Sequence, residues 1–403
     1  MTAAASERTT ERVTQHPEAN EQLLYFTSTS LTTDDRRLVF ISDRTGHPNL
    51  FDRDLVTGAE RQLTHNAEGH LKSYVYFFGE PYRGFGRASV SLHAPSGTVY
   101  YLQGREIRRA DADGRERVLA EYPFGQMTAF THVSGDGRRL CVPTTDSRAL
   151  DGDGKLTEWF KYNIDERVRS EGLSSWLRVY DTETGKELLC ERVPECWITH
   201  VQFSPADNNL ILYNHEWSSI DPGIRRMWLF DGHRHRRLRT EGNGRSRHDG
   251  ACHEMWERDG SAIIYHGSLA GRGPCIGRVT PDGSDIREIV LTHGCERYGH
   301  FTSGAPGVLV SDGYFETEGD RRAIAFGNTI GGDWISRVDA DWAKGTYVWT
   351  PLCRSGRESG RSCWGRSARS QARLKPAPPC RKTAAGVKAR RARPRRSPKA
   401  PRG

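Results

Sequence analysis

The chain has 403 residues, a formal net charge of +8, 35% hydrophobic residues and 42 glycines. The charge is unevenly placed. Residues 354–403 carry 17 Lys/Arg against one acid, Glu358, which makes this stretch +16; the 353 residues before it hold 42 basic and 50 acidic side chains and are −8. The basic balance is therefore no argument for nucleic-acid binding by the body of the protein, and no apolar run approaches the ~18–20 residues needed to span a bilayer.

Residues 1–19 are polar and read as a flexible N-terminus. From residue 20 a unit recurs in which a turn of small and acidic residues leads into an apolar strand. Residues 33–37 precede Leu38–Ile41, 94–97 precede Thr98–Tyr101, and 134–137 precede Leu140–Val142. Residues 204–207 then precede Leu210–Tyr213, 258–260 precede Ala262–Tyr265, and 303–307 precede Val308–Val310. A companion signal follows in most units: Asp54 to Gly58, Asp111 to Gly114, Asp181 to Gly185 and Thr280 to Gly283. These are hairpin turns in which the Asp side chain accepts from its own backbone and Gly takes a positive φ.

Short strands at this spacing predict an all-β fold, a β-propeller of four-stranded antiparallel blades over residues 20–353. No amphipathic helix of 12 or more residues is expected; the nearest candidate, Leu156 to Ser170, reads as an insertion between blades. Six units are visible, and residues 345–349 begin another strand. A seventh blade is expected but disrupted or missing, because from Arg354 the sequence is Arg, Ser, Ala, Pro and Lys with few strand formers. Residues 354–403 are expected to be a disordered basic tail, and out-of-frame translation of a GC-rich gene would produce such a composition. Nine cysteines without a CxxC pair read as buried free thiols of a reducing compartment, hence a cytoplasmic protein.

Fifteen histidines are the main chemical resource. His200, His215, His253 and His300 recur near strand ends beside small or acidic residues, a placement that in a propeller aims side chains from successive blades at one central channel. There is no GxSxG elbow and no phosphate-cradling glycine loop, and His253-Glu254 lacks the second His of a HExxH zinc motif.

Five segments occur here in the order found in oligogalacturonate lyases, the cytoplasmic seven-bladed propellers of polysaccharide lyase family 22. They are residues 197–205 (WITHVQFSP), 213–216 (YNHE), 225–229 (RRMWL), 252–260 (CHEMWERDG) and 299–313, from GHFTS to SDG. The resemblance covers about residues 20–350 and implies metal-assisted β-elimination of short galacturonate oligomers to 5-keto-4-deoxyuronate in pectin catabolism. Carried over position by position, it makes His253 the base, Arg226 the substrate-holding arginine, His200 and His215 substrate-binding neighbours, and His300 a ligand of a divalent cation, Mn²⁺. The family's Gln-x-x-His-Pro-His run, which supplies further metal ligands, is not matched: Gln371 is followed by Ala-Arg-Leu-Lys-Pro, and no histidine follows His300. The expected partner is a uronic-acid oligosaccharide, with no specific nucleic acid and no membrane. The competing expectation is a non-catalytic propeller, a binding or scaffold module or a lyase inactive for want of its metal ligands. A serine-hydrolase propeller is not expected, because no hydrolase domain follows in this sequence.

Overall fold

The structure, a computed structural model, describes residues 13–14, 16, 18–72, 82–150, 161–216, 226–239, 250–269, 272–291, 300–314 and 333–354. Among them the strands form six separate antiparallel sheets, five of four strands and one of five, each contiguous in sequence. The first holds β1 (Glu21–Leu23), β2 (Arg37–Ser42), β3 (Asn49–Asp54) and β4 (Glu60–Gln62). The second holds β5 (Val90–His93), β6 (Thr98–Gln103), β7 (Glu106–Ala110) and β8 (Glu116–Glu121). The third runs β10 (His132–Val133), β11 (Arg139–Asp146), β12 (Ser174–Asp181) and β13 (Glu187–Pro194), with β9 (Gln126–Met127) also paired to β11.

The fourth sheet comprises β14 (Val201–Phe203), β15 (Ile211–Asn214), β16 (Met227–Phe230) and β17 (His235–Arg237). The fifth comprises β18 (Gly250–Trp256), β19 (Ile263–Leu269), β20 (Gly273–Val279) and β21 (Ile286–Val290). The sixth comprises β22 (Phe301–Ala305), β23 (Val308–Tyr314), β24 (Asp333–Asp341) and β25 (Thr346–Arg354). This is the expected propeller of four-stranded blades. Each apolar run picked out by its preceding turn is the second strand of a blade, and each Asp-to-Gly turn joins the third strand to the fourth.

Local chemistry explains the regularity. At the β12–β13 hairpin the Asp181 carboxylate accepts from the backbone N–H groups of Glu183 (3.0 Å) and Thr184 (2.7 Å), and Gly185 takes φ +72°. A Cβ on Gly185 would lie 1.9 Å from the carbonyl oxygen of Leu119 in the neighbouring blade, so glycine serves both the turn and the blade packing. The equivalent Asp54 accepts from Thr57 and Val56, and those two backbone bonds hold its carboxyl down to about 2.

Most of the hydrophobic core lies between blades, with a smaller cluster of Tyr25, Ala88, Ala129 and Phe130 at the centre. Val39, Ile41 and Leu50 of the first blade pack on Val90, Val99 and Tyr101 of the second. Tyr100, Leu102 and Ile107 pack in turn on Leu140, Val142 and Tyr180, and the same alternation continues round to Ile264, Ile276 and Ile289 against Leu309 and Val338. Burial of two sheet faces against each other provides the stability, at roughly 25 cal/mol per Å² of apolar surface removed from water.

Two sequence expectations are corrected and one is borne out. The helix in the 156–170 region is present as α1 (Lys161–Ser170), but it joins β11 to β12 inside the third blade, where Ile164 and Val168 bury against Leu150, Leu173 and Trp197. Residues 345–349 do begin a strand, as expected: it is β25, which the Asp341-to-Gly345 turn folds back onto β24 as the fourth strand of the sixth blade. Cys141, Cys190, Cys196, Cys252 and Cys275 are all free thiols, yet Cys190 is exposed, having landed on an edge strand. The expected basic tail lies outside the described residues.

Candidate functional site

The first strands of five of the six blades, or residues within a few positions of them, deliver side chains that meet at the centre. Tyr25 and Phe26 follow β1, Phe130 precedes β10, His200 immediately precedes β14, His253 lies in β18 and His300 immediately precedes β22. The ring of His300 lies 4.4 Å from that of His253, 4.9 Å from Phe26 and 5.4 Å from Tyr25, centroid to centroid. Tyr25 also stacks on His200 at 5.8 Å, and Phe130 lies 4.9 Å from His200. The first and sixth blades therefore meet in this aromatic and imidazole wall, although 275 positions separate Tyr25 from His300.

Arg226 sits at the head of β16, and its guanidinium is buried between two acids. Its Nε donates to Glu254 Oε2 (2.7 Å) and its Nη1 to Glu216 Oε2 (3.0 Å). Its Nη2 donates to His200 Nδ1 (3.0 Å). Burial alone would favour losing the charge, but Glu216 and Glu254 overwhelm it and keep Arg226 charged. An arginine can only donate, so His200 Nδ1 is an acceptor and the proton of that ring sits on Nε2. Asn214 fixes the base of the cluster: its Oδ1 accepts from the backbone N–H groups of Thr199 (2.9 Å) and His200 (2.7 Å), and its Nδ2 donates to Glu216 (3.0 Å).

His253 is held in an unusual backbone. Cys252 pairs with His266 and Met255 with Ile264, so two residues of β18, His253 and Glu254, stand opposite one of β19. This is a β-bulge, and His253 adopts φ +52° within it. A left-handed residue without glycine costs on the order of 1–2 kcal/mol, a strain that tends to persist where the side chain's direction matters. The bulge turns Glu254 inward to Arg226 and brings His253 Nδ1 to 2.6 Å from His266 Nε2.

His300 donates its backbone N–H to Asp312 Oδ1, and its Nδ1 faces Asp312 Oδ2 at 3.4 Å. Burial pushes the Asp312 carboxyl up, but the contact with His300 outweighs it and leaves the group below its ordinary value.

Of the five residues singled out from sequence, the structure brings four together: Arg226 and His200 in one cluster, His253 and His300 in contact beside it. His215 stands apart. It follows the second strand of its blade, its ring stacks on Trp228 at 4.8 Å, and burial with the nearby His235 holds it down to about 4. Its tie to the site is its backbone N–H, which donates to the Arg226 carbonyl at 2.9 Å. Sequence reading missed Glu216, Glu254, His266 and Asp312. The two glutamates were visible as the acids after His215 and His253, whereas His266 and Asp312 carried no local signal.

The fold and the site together define a β-propeller with an imidazole–guanidinium centre, its imidazoles supplied at first strands and its guanidinium from the head of the third strand of the fourth blade. In sequence and in fold, this propeller is similar to oligogalacturonate lyases. It is 26% identical over 296 residues to the oligogalacturonate lyase of Dickeya dadantii, covering 72% of this chain and 68% of that one. It is 27% identical over 223 residues to the oligogalacturonide lyase of Pectobacterium atrosepticum, spanning about half of each chain at 53%. Among solved structures, an oligogalacturonate lyase in complex with manganese superimposes with a TM-score of 0.65 at 22% identity, covering 87% of this chain and 82% of that one. No family model matches the chain.

The manganese of that neighbour sets a test for this one. His300 meets it in part, because a histidine backed at Nδ1 by a carboxylate is the usual form of a metal ligand. The rest of the described residues do not. Among them the one group of three or more His, Cys, Asp or Glu whose ligand atoms all lie within 4.8 Å of one another is Cys252, His253 and His266. A thiol and two imidazoles make a soft donor set, whereas Mn²⁺ selects carboxylate, carbonyl and water oxygens.

Proposed function

We propose that this chain is a lyase of the oligogalacturonate type, cleaving short galacturonate oligomers by β-elimination in pectin breakdown, with His253 as the base. The observation that supports it most is the bulge that holds His253 at φ +52° against His300 with its Nδ1 on His266. The similarity to oligogalacturonate lyases supplies the substrate class, and the free cysteines are compatible with a cytoplasmic location.

The proton on C5, α to the uronate carboxylate, passes to the His253 ring. The electron pair of that C–H bond becomes the C4=C5 double bond, the C4–O bond breaks, and the departing oxygen takes up a proton. The product rearranges to the 5-keto-4-deoxyuronate. This role fixes one tautomer: His253 must donate from Nδ1 to His266 Nε2, so that Nε2 of His253 carries the lone pair. In the opposite tautomer His253 Nε2 holds a proton and the ring accepts nothing there.

Arg226 is the carboxylate-recognising group in this reading. Its side chain is 4% exposed, and of its two acids Glu216 is 21% exposed while Glu254 is 1%. Glu216 is therefore the partner that gives way to a uronate carboxylate, and Glu254 stays as the permanent counter-charge. His200 lines the wall next to Arg226, and His215 positions Arg226 through the backbone bond to its carbonyl. A divalent cation enters through the resemblance and would withdraw charge from the substrate carboxylate; the donor set does not fit Mn²⁺, so no step here depends on it.

The same mismatch favours a second reading, a propeller that binds uronate oligomers without cleaving them. Digalacturonate incubated with the full chain, with and without added Mn²⁺, separates the two. Release of keto-uronate that disappears in His253→Ala supports the lyase. Saturable binding with no keto-uronate supports the binding module, and turnover unchanged in His253→Ala rejects His253 as base.

A further inference from the structure

We propose that Cys252, His253 and His266 form a binding site for a soft divalent cation, Zn²⁺, with the Cys252 Sγ, His253 Nδ1 and His266 Nε2 atoms as ligands. In a regular strand, neighbouring side chains point to opposite faces, so Cys252 and His253 could not share a ligand. The bulge removes that obstacle: Cys252 remains directly opposite His266, and the left-handed turn at His253 brings its ring to the same place. One ligand atom from each of the three residues then lies within 4.8 Å of the others, and His253 Nδ1 and His266 Nε2 are 2.6 Å apart.

The chemistry selects the ion. One thiolate and two imidazoles are a donor set that zinc takes readily and the hard cations Mg²⁺, Ca²⁺ and Mn²⁺ do not. Zinc bonds of about 2.3 Å to sulfur and about 2.0–2.1 Å to nitrogen in a tetrahedron place two nitrogens about 3.3 Å apart. The His253 and His266 nitrogens, now 2.6 Å apart and sharing a proton, part by about 0.7 Å as the ion replaces it. Three protein ligands leave the fourth position for water or a substrate oxygen, the arrangement of catalytic rather than structural zinc sites.

Occupancy has a consequence that rests on the lyase reading. With Nδ1 bound to zinc, the proton of His253 moves to Nε2, and the ring can no longer act as base there. Zinc at this site therefore inhibits the β-elimination, and removing it restores the base. The binding itself is independent of that reading.

The test uses the full chain, apo and titrated with Zn²⁺ or Co²⁺. The expected result is one ion bound tightly through these residues, a thiolate-to-cobalt charge-transfer band with tetrahedral cobalt absorption, and a rise in Tm with Zn²⁺. Cys252→Ser and His266→Gln abolish the band and weaken Zn²⁺ by roughly 100-fold or more, whereas Cys190→Ser leaves both unchanged. No cobalt–thiolate band in the wild type, or a band that survives Cys252→Ser, overturns the proposal. Should the variants fail to fold, protection of Cys252 from alkylation by Zn²⁺ in the wild type decides it, with protection supporting the site and unchanged labelling rejecting it. Zinc binding without inhibition of keto-uronate release leaves the site standing and rejects His253 as base.

Discussion

His253 Nδ1 lies 2.6 Å from His266 Nε2, and the two rings meet edge to face at 4.7 Å. His253 belongs to the bulge of β18 and His266 to the regular β19 opposite, so the rigid strand orients the strained one. In the proposed reaction His266 touches no substrate; it selects the tautomer of the base, as the third member of a nucleophile–base–orienter set does. His266→Ala is expected to lower kcat by roughly 10–100-fold with KM nearly unchanged. His266→Gln, whose side chain can still accept from Nδ1, should recover part of the loss. Steady-state kinetics on digalacturonate checks both; a change confined to KM would place His266 in substrate binding instead.

Arg226, Glu254 and Glu216 provide a stability experiment that does not depend on turnover. Glu254 is 1% exposed, and Arg226 is its donor at 2.7 Å. Arg226→Met leaves a carboxylate buried without its counter-charge, and such losses cost about 3–5 kcal/mol. Glu216→Gln removes the more exposed acid and keeps acceptors for Thr199 and Asn214, so about 1 kcal/mol or less is expected. Urea unfolding midpoints at neutral pH measure the difference. The same Glu216→Gln exchange should lower KM for a uronate, because the internal carboxylate no longer competes for Arg226.

Much of the fold was legible because its signals are local. Asp181 and Gly185, or Asp54 and Gly58, specify their turn within five residues, and the strand after each small-acidic turn follows from hydrophobic runs alone. The helix was found but misplaced, since nothing in residues 156–170 states which strands it joins. The site was half legible. His200, His253 and His300 recur beside innermost strands, which periodicity reveals. The contact of Cys252 with His266 depends on cross-strand register, and the bulge depends on a left-handed histidine that no sequence rule requires. Asp312 reaches His300 across 12 positions of a hairpin for the same reason.

Two glycines separate the cost of backbone strain from the cost of a clash. Gly185 and Gly232 both sit at third-to-fourth-strand hairpins with positive φ, at +72° and +91°. A Cβ at Gly232 meets nothing within 4 Å, whereas one at Gly185 lies 1.9 Å from the Leu119 carbonyl. Gly232→Ala should therefore cost about 1 kcal/mol, the left-handed term alone. Gly185→Ala should cost at least about 2–3 kcal/mol, because the second and third blades must also move apart. Thermal melts of the two variants test this ordering, and equal losses would show that the blade contact at Leu119 yields freely.

Acid sensitivity follows from two histidines outside the proposed catalytic pair of His253 and His266. Burial holds both His132 and His215 down to about 4, against an ordinary value of 6.5. The His132 Nδ1 accepts from the backbone N–H of Phe203 and ties the third blade to the fourth, an arrangement that a second proton on the ring would break. A folded-state value below the unfolded one means that the unfolded chain binds more protons between them. The stabilisation is therefore complete above about pH 6.5 and is lost as the pH falls toward about 4. From pH 7.5 to pH 5 each histidine should remove about 2 kcal/mol of stability. His132→Gln and His215→Gln, each unable to titrate, should flatten the pH dependence by one such step at some cost in stability at neutral pH. Urea midpoints measured across that range for the wild type and both variants give the slopes directly; an unchanged slope in either variant would mean that its histidine takes up no extra proton on unfolding in this range.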